Sequence, residues 1–268
     1  MFSLIMALVI NNLRAIMRDR VLLAVLAVAL VMILLVPVLS SFSMRQVQEL
    51  AITLSLSTVS GVLLVVTLLL GSLSIWRDVE YRYTTSILTL PVSRMTFLLG
   101  KFISISIFLL LCTFVLGVGS SVVISLSAAT YPSDIPIRWT NIFFVLLGDF
   151  LKYMLLAGFS LLLSSVGTSF YLPFFGTSVV YFCGNASQEV FEYATGEFGQ
   201  GLGVLTIKAV TMAYYLVPNL AVFDFQVAAV YGLDIAPADV LVAALYAVVY
   251  TAILLGLAVF AFNRRQLP

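Results

Sequence analysis

The sequence predicts an all-α membrane protein with six transmembrane helices, and three observations carry that reading. Apolar residues make up 62% of the chain and charged residues 9%, and the mean hydropathy is +1.17, far from the composition of a soluble domain. Stretches of about 20 mostly apolar residues, the length a helix needs to cross the hydrocarbon core, recur along the chain. Most of the few Lys and Arg residues fall in alternate connections, the bias that the positive-inside rule describes for a multi-pass protein. A β-barrel does not fit, because its strands alternate apolar and polar positions. The run Val62-Leu63-Leu64-Val65-Val66-Thr67-Leu68-Leu69-Leu70 is apolar on every face, which a helix tolerates in lipid because it satisfies its own backbone.

In chain order, residues 1–20 read as an interfacial helix. Phe2, Ile5, Val9, Leu13 and Ile16 share one helical face, with Asn11, Arg14 and Arg18 opposite, the pattern of a helix lying along a leaflet. An early start to the first span is the alternative. It would bury Arg14, Arg18, Asp19 and Arg20 at high cost. Spans are expected at Val21–Ser40, Leu50–Ile75, Phe97–Leu126, Ile142–Ser164, Phe170–Phe191 and Val240–Phe262. All belong to a single transmembrane domain covering residues 1–268.

Between the second and third spans lies a charged island at residues 76–95. It opens Trp76-Arg77-Asp78-Val79-Glu80-Tyr81-Arg82-Tyr83 and closes Pro91-Val92-Ser93-Arg94. In a chain that otherwise avoids charge, such a segment belongs in water or against a soluble partner. Between the fifth and sixth spans, residues 185–239 are too long for a simple loop. Val204–Tyr215 and Leu220–Tyr231 are apolar but too short to cross, and Pro218-Asn219 separates them. A re-entrant helical pair is expected, or an amphipathic stretch lying on the outer leaflet.

With six crossings, Arg14, Arg18, Arg20, Arg77, Arg82, Arg94, Lys101, Arg264 and Arg265 share one side. The other side holds Arg45, Arg138 and Lys208 among a majority of acidic residues. Both termini and the charged island are therefore expected in the cytoplasm.

Several chemistries have no support. The chain has no histidine, which removes the commonest general base, the usual haem ligand and most zinc sites. No P-loop pattern is present, and Gly199-Gln200-Gly201-Leu202-Gly203 follows no strand, so it reads as a turn. Cys112 and Cys183 lie inside spans and read as small packing residues. No Ser or Thr has a base beside it in a nucleophile pattern. Asp149 and Lys152, three residues apart in the fourth span, are the ionisable residues to explain. They read either as a structural ion pair on one helical face or as a polar patch on a translocation path.

The run from Ile75 to Arg94, followed by Phe97-Leu98-Leu99-Gly100-Lys101, resembles the ABC-2 type transporter permeases. In that family an acidic residue, a Thr-rich turn, a Leu-rich stretch, Pro-Val-Ser-Arg and then Gly-Lys follow the second span. Leu13-Arg14-Ala15-Ile16-Met17-Arg18-Asp19-Arg20 is similar to the family's N-terminal elbow helix. Tyr214-Tyr215-Leu216-Val217-Pro218-Asn219-Leu220 with Phe223-Asp224 is similar to the segment before its last span, and Phe262-Asn263-Arg264-Arg265 to its C-terminal end. The flavour is nearest to permeases of the multicopper-enzyme-maturation type. A copper path would favour soft Cys, Met or His ligands, however, and this chain has no His, isolated Cys and scattered Met. No metal site is therefore assigned.

The resemblance implies a non-catalytic membrane subunit of an exporter in a bacterial or archaeal inner membrane. It would dimerise with a second copy or a homologue and dock on a pair of cytosolic ATPase subunits, which alone bind ATP and Mg. The coupling segment would then use Trp76, Arg77, Asp78, Glu80, Tyr81, Arg82, Tyr83 and Arg94. A secondary transporter and an intramembrane enzyme remain as alternatives from other classes.

Overall fold

A computed structural model of the chain describes residues 2–43, 46–80, 93–131, 135–196 and 203–264, and among these residues the regular structure is entirely helical. The helices are α1 (Phe2–Met17), α2 (Arg20–Ser41), α3 (Val47–Glu80), α4 (Arg94–Thr130), α5 (Trp139–Val166), α6 (Tyr171–Thr195), α7 (Val204–Leu216), α8 (Gln226–Val230) and α9 (Pro237–Arg264), with a 3-10 turn at Ala221–Phe223. Tyr81, Arg82 and Tyr83, the Gly199–Leu202 stretch and the side chains of Asp78 and Glu80 lie outside the described residues.

Each expected span is a helix, and each helix overruns the apolar core of its segment. Hydropathy registers only the part suited to lipid, whereas backbone hydrogen bonding continues until a cap or breaker stops it. At 34 and 37 residues, α3 and α4 are ~50–55 Å long at 1.5 Å per residue, against a ~30 Å hydrocarbon core. Trp76 and Arg77 thus continue α3 rather than opening a separate segment. Ser93 stops the chain from fraying at the start of α4, where its side chain accepts from the Thr96 N–H at 3.1 Å. Asp19 does the same for α2, accepting from Val21 N–H at 2.9 Å. This cap separates α1 from α2 and supports two helices over one long first span.

Contacts between helix ends define the topology. At one end, Asp19 pairs with Arg77, Trp76 meets Phe170 edge-to-face at 6.4 Å, and Arg94 donates to the carbonyls of Phe262 and Asn263 at 2.8 and 3.1 Å. At the other end, Gln48 donates to the Ile135 carbonyl at 2.8 Å, Arg138 pairs with Asp234, and Asn141 donates to the carbonyls of Ala228 and Leu233. The helices α2, α3, α4, α5, α6 and α9 therefore run alternately between an Arg77 end and an Asp234 end. The start of α2 and the finish of α9 lie together at the Arg77 end.

Length and composition qualify α2, α3, α4, α5 and α9 as helices able to cross a membrane, or six crossings if the bent pair 205–216 and 221–230 counts as one. The fold is that of a multi-pass membrane protein. The fifth expected span corrects in kind. Helix α6 is long enough, but Thr177, Ser178, Asn185, Ser187, Gln188, Glu189 and Glu192 dilute its apolar character. It also extends to Thr195, so part of the expected 185–239 segment is simply the end of α6. Cys183 differs too: it is exposed on α6, whereas Cys112 is buried as expected.

The surface is apolar where a soluble protein would be polar. Along α2 alone, Val28, Val31, Leu34 and Val38 are more than half exposed, with Leu34 at 70%. Contiguous patches of that extent need lipid or another protein against them. Inside, lipid supplies no hydrophobic drive between helices, so close approach at small residues holds them together. At the α3–α5 crossing, a Cβ on Gly71 would overlap the Ser160 side chain. Gly119 on α4 has nothing within 4 Å of such a Cβ. Gly71→Val should therefore destabilise the purified protein by ~1–3 kcal/mol through overpacking, lowering its thermal midpoint in detergent, while Gly119→Val leaves it unchanged. Equal midpoints for the two variants would refute the crossing.

Candidate functional site

Two polar constructions stand out in this apolar bundle. The first is at the Arg77 end. Helix α1 lays Ile5, Leu8, Val9, Leu13 and Ile16 inward and leaves Asn11, Arg14 and Arg18 exposed, the division expected from the sequence. The Asp19 carboxylate is drawn two ways. Partial burial raises its pKa, but hydrogen bonds from Arg77 and the Val21 N–H, together with the Arg77 charge, more than offset this and hold it below the ordinary carboxylate value. The folded pKa is depressed, so the pair stabilises the fold above the unfolded carboxylate pKa. That contribution disappears only as the pH falls through the lower, folded value. Arg94 also lies over the Phe262 ring at 5.9 Å, and Phe97 stacks on Phe262 at 6.0 Å. Of the residues expected to couple to a partner, Trp76, Arg77 and Arg94 are therefore engaged inside the chain, locking α3 and α4 to α2, α6 and α9.

The second construction lies between α3, α5 and α6. Asp149 and Lys152 are each 7% exposed, but they do not form the direct ion pair their spacing suggests, having no N–O contact within 4.0 Å. Asp149 instead accepts from Ser60 at 3.0 Å, and Ser60 shares a 2.7 Å hydrogen bond with the Tyr153 hydroxyl. The Lys152 ammonium sits 5.5 Å from the ring centres of both Tyr153 and Tyr181, and those rings stack at 6.4 Å. The geometry diverts each charge to a different neighbour. Sequence spacing along one helix could not reveal Ser60 or Tyr181, which come from α3 and α6.

Above this cluster, toward the Asp234 end, the chain turns at residues 217–225, where α7 and the segment after it are bent by 53°. The second expected arm is shorter than its apolar run suggested. The 3-10 turn stops at Phe223, and Asp224 accepts from the Gln226 N–H at 3.0 Å to restart as α8.

Side chains and backbone of α6 and α9 hold several polar groups of this turn. Asn219 N–H donates to Tyr246 at 3.0 Å, and Asn219 Nδ2 donates to Gln188 at 2.6 Å. The Asn219 carbonyl oxygen of the side chain accepts from Ala221 N–H, and Tyr250 donates to the Leu216 carbonyl at 3.2 Å. The Leu220 N–H donates to the Gly184 carbonyl at 3.0 Å. Two glycines make room: a Cβ on Gly148 would lie 2.6 Å from the Phe223 carbonyl oxygen, and one on Gly184 would lie 2.7 Å from that of Pro218. Pro218-Asn219 was legible as a break. Tyr246 and Tyr250, one turn apart on α9, carried the signal that went unread.

Comparison of the chain with protein-family models and with curated proteins gives no match.

The separation of the two charges generates a testable expectation. Cation–π contacts are worth ~0.5–2 kcal/mol, with the upper end reached when desolvated. Tyr181→Leu should therefore cost stability in the wild-type background and markedly less once Lys152→Met has removed the ammonium, a coupling read by a double-mutant cycle. Additive costs would assign the tyrosine to packing alone.

Proposed function

We propose that this chain is the membrane subunit of an ABC-2 type transporter, an exporter whose ATP hydrolysis takes place on separate cytosolic subunits. In this reading the Arg77 end and both termini face the cytoplasm, α1 lies along the inner leaflet, residues 76–95 receive the ATPase, and a second permease copy completes the assembly. The turn at residues 217–225 is a re-entrant element entering from the outer face.

The observation that carries this reading is the resemblance of residues 75–101 to the permease pattern, read together with the helix that bears its first part. Helix α3 is about 20 Å longer than a hydrocarbon core requires, and its Trp76–Glu80 end gathers with α1, the start of α4 and the end of α9. A load applied beside Arg77 would reach α2 through Asp19 and α6 through Phe170, while Arg94 ties the start of α4 to the end of α9. Tyr81 and Tyr83 would supply the large anchors that dominate interfaces, with Asp78, Glu80 and Arg82 as polar contacts, while Trp76 and Arg77 hold α3 to the rest of the bundle.

The bent pair favours a secondary transporter as the second reading, since broken helices seated deep in a bundle are that class's usual binding element. A partner ATPase separates the two. Tyr81→Ala combined with Arg82→Glu should abolish copurification of the permease with a P-loop ATPase partner, while the permease still elutes as a folded species. Undiminished copurification and ATP hydrolysis from the double variant would rule out the coupling role. The absence of any ATPase partner for the wild type would favour the secondary transporter.

A further inference from the structure

Helix α1 divides its circumference into three sectors. One is spent on the bundle: Val9 is buried, its carbonyl accepts from Ser104 at 3.5 Å, and Leu8, Leu13 and Ile16 pack against the core. Further around the helix, at 3.6 residues per turn, Met6, Ile10 and Met17 form an exposed apolar flank. Beyond them lie Arg14, Arg18 and Asn11, exposed as well. Arg20 follows two residues on, exposed at the start of α2, and Val21 and Leu23 beside it are more than half exposed. Among the described residues, none of these three arginines makes a hydrogen bond, ion pair or ring contact. No local acid is left to pair with them either. Asp19 is the only acidic residue before Glu49, and Arg77 engages it.

An exposed apolar flank beside a cationic one, on a helix whose remaining face is held by the bundle, fits one environment: the boundary between acyl chains and headgroups. There Met6, Ile10 and Met17 meet acyl chains, and the guanidiniums reach headgroup oxygens, which their forked donors match. A soluble acidic protein would match the arginines but would leave the adjoining apolar flank against water. We propose that the corner formed by α1 and the start of α2 recruits anionic phospholipids, whose phosphodiester oxygens pair with Arg14, Arg18 and Arg20. Unpaired basic residues at a membrane surface gain from such headgroups, and the gain falls off within a Debye length. The recruited lipids would fix the depth at which α1 lies and hold it against α4. This inference rests on the placement of α1 along a leaflet, and it holds whether or not the chain works with an ATPase.

The test uses the full chain reconstituted in vesicles, with a bimane fluorophore on Met17→Cys in a background of Cys112→Ala and Cys183→Ala. Acyl-brominated phosphatidylcholine quenches a fluorophore that it touches, and an unbrominated lipid relieves the quenching by displacing it. At position 17 phosphatidylglycerol should displace the quencher at least about fivefold better than phosphatidylcholine does, the effect of one basic residue at such a surface. The preference should shrink in ~1 M salt, where the Debye length is about 3 Å. Combining Arg14→Gln, Arg18→Gln and Arg20→Gln should bring the ratio to unity while the quencher still reaches position 17, because the apolar flank is unchanged. The same fluorophore on Phe143→Cys, an exposed position of α5 toward the other end, should show no preference. Equal displacement by the two lipids at position 17, or a preference that survives in the triple variant, would overturn the proposal. No quenching at position 17 would overturn the placement of α1 on which it rests, while leaving the coupling test at Tyr81 and Arg82 untouched. Loss of an ATPase partner by the triple variant, with no lipid preference in its parent, would give the arginines to a protein instead. If the triple variant fails to reconstitute, salt decides: a preference unchanged at ~1 M contradicts pairing with headgroup charge.

Discussion

The interaction on which this fold depends is backbone hydrogen bonding in surroundings that offer no water. Much of the outer surface is apolar, so a peptide group that leaves a helix within the bundle must find a partner in the protein or bear a cost of several kcal/mol. Most of the chain meets this demand by staying helical, and α3 and α4 do so far past the apolar stretch that defines them. The segment at residues 217–225 meets it differently, by recruiting Tyr246 and Tyr250 from α9, Gln188 and the Gly184 carbonyl from α6, and its own Asn219 and Asp224. That concentration of polar partners explains how Asn219 can be 8% exposed with its backbone N–H and side-chain amide all hydrogen-bonded. It also explains why Gly148 and Gly184 face the turn, since its carbonyls approach nearer than any Cβ would permit.

The same scarcity of solvent governs the charges. An ionised pair held in contact would still be desolvated, and its attraction repays that cost only with good geometry and further hydrogen bonds. Asp149 and Lys152 are handled one at a time, the carboxylate by a hydroxyl and the ammonium by two aromatic faces. Such an arrangement leaves each charge with capacity to spare, since one hydrogen bond does not exhaust a carboxylate and ring faces satisfy none of the ammonium's three donors. This is the property that keeps the cluster a candidate for the path of a transported molecule. At the Arg77 end the opposite solution is used: Asp19 and Arg77 meet directly, close to water, where a pair is cheap to form.

How much of this was legible follows from which interactions are local. The helices that cross the bundle were readable because hydrophobic runs of spanning length have few other outcomes, and the alternation of basic residues agreed with the alternating passage between bundle ends. The inward face of α1 was readable from its 3.6-residue period. The ends were not, since caps such as Ser93 and Asp19 act within one or two residues and hydropathy averages over many. Asp149 and Lys152 were found as ionisable residues in an apolar span, but their partners were misassigned. Spacing along one helix shows who could meet, and only the packing of α3 and α6 shows who does. The role of Tyr246 and Tyr250 shows only once α9 is packed against the turn.

The proposed transporter role draws these parts into one mechanical unit, in which the end of α3 is held by Asp19 and Phe170, and the opposite half of the bundle is stoppered by the turn. Its central structural claim is that six helices pass between two aqueous faces with the Arg77 end on one and the Asp234 end on the other. Single cysteines placed at Arg18, Leu233 and Leu34 in a background of Cys112→Ala and Cys183→Ala, and challenged with a membrane-impermeant thiol reagent on intact cells and on inverted vesicles, address it directly. The account predicts labelling of position 233 from outside only, of position 18 from the cytoplasmic face only, and of position 34 from neither. Labelling of positions 18 and 233 from the same face would contradict it.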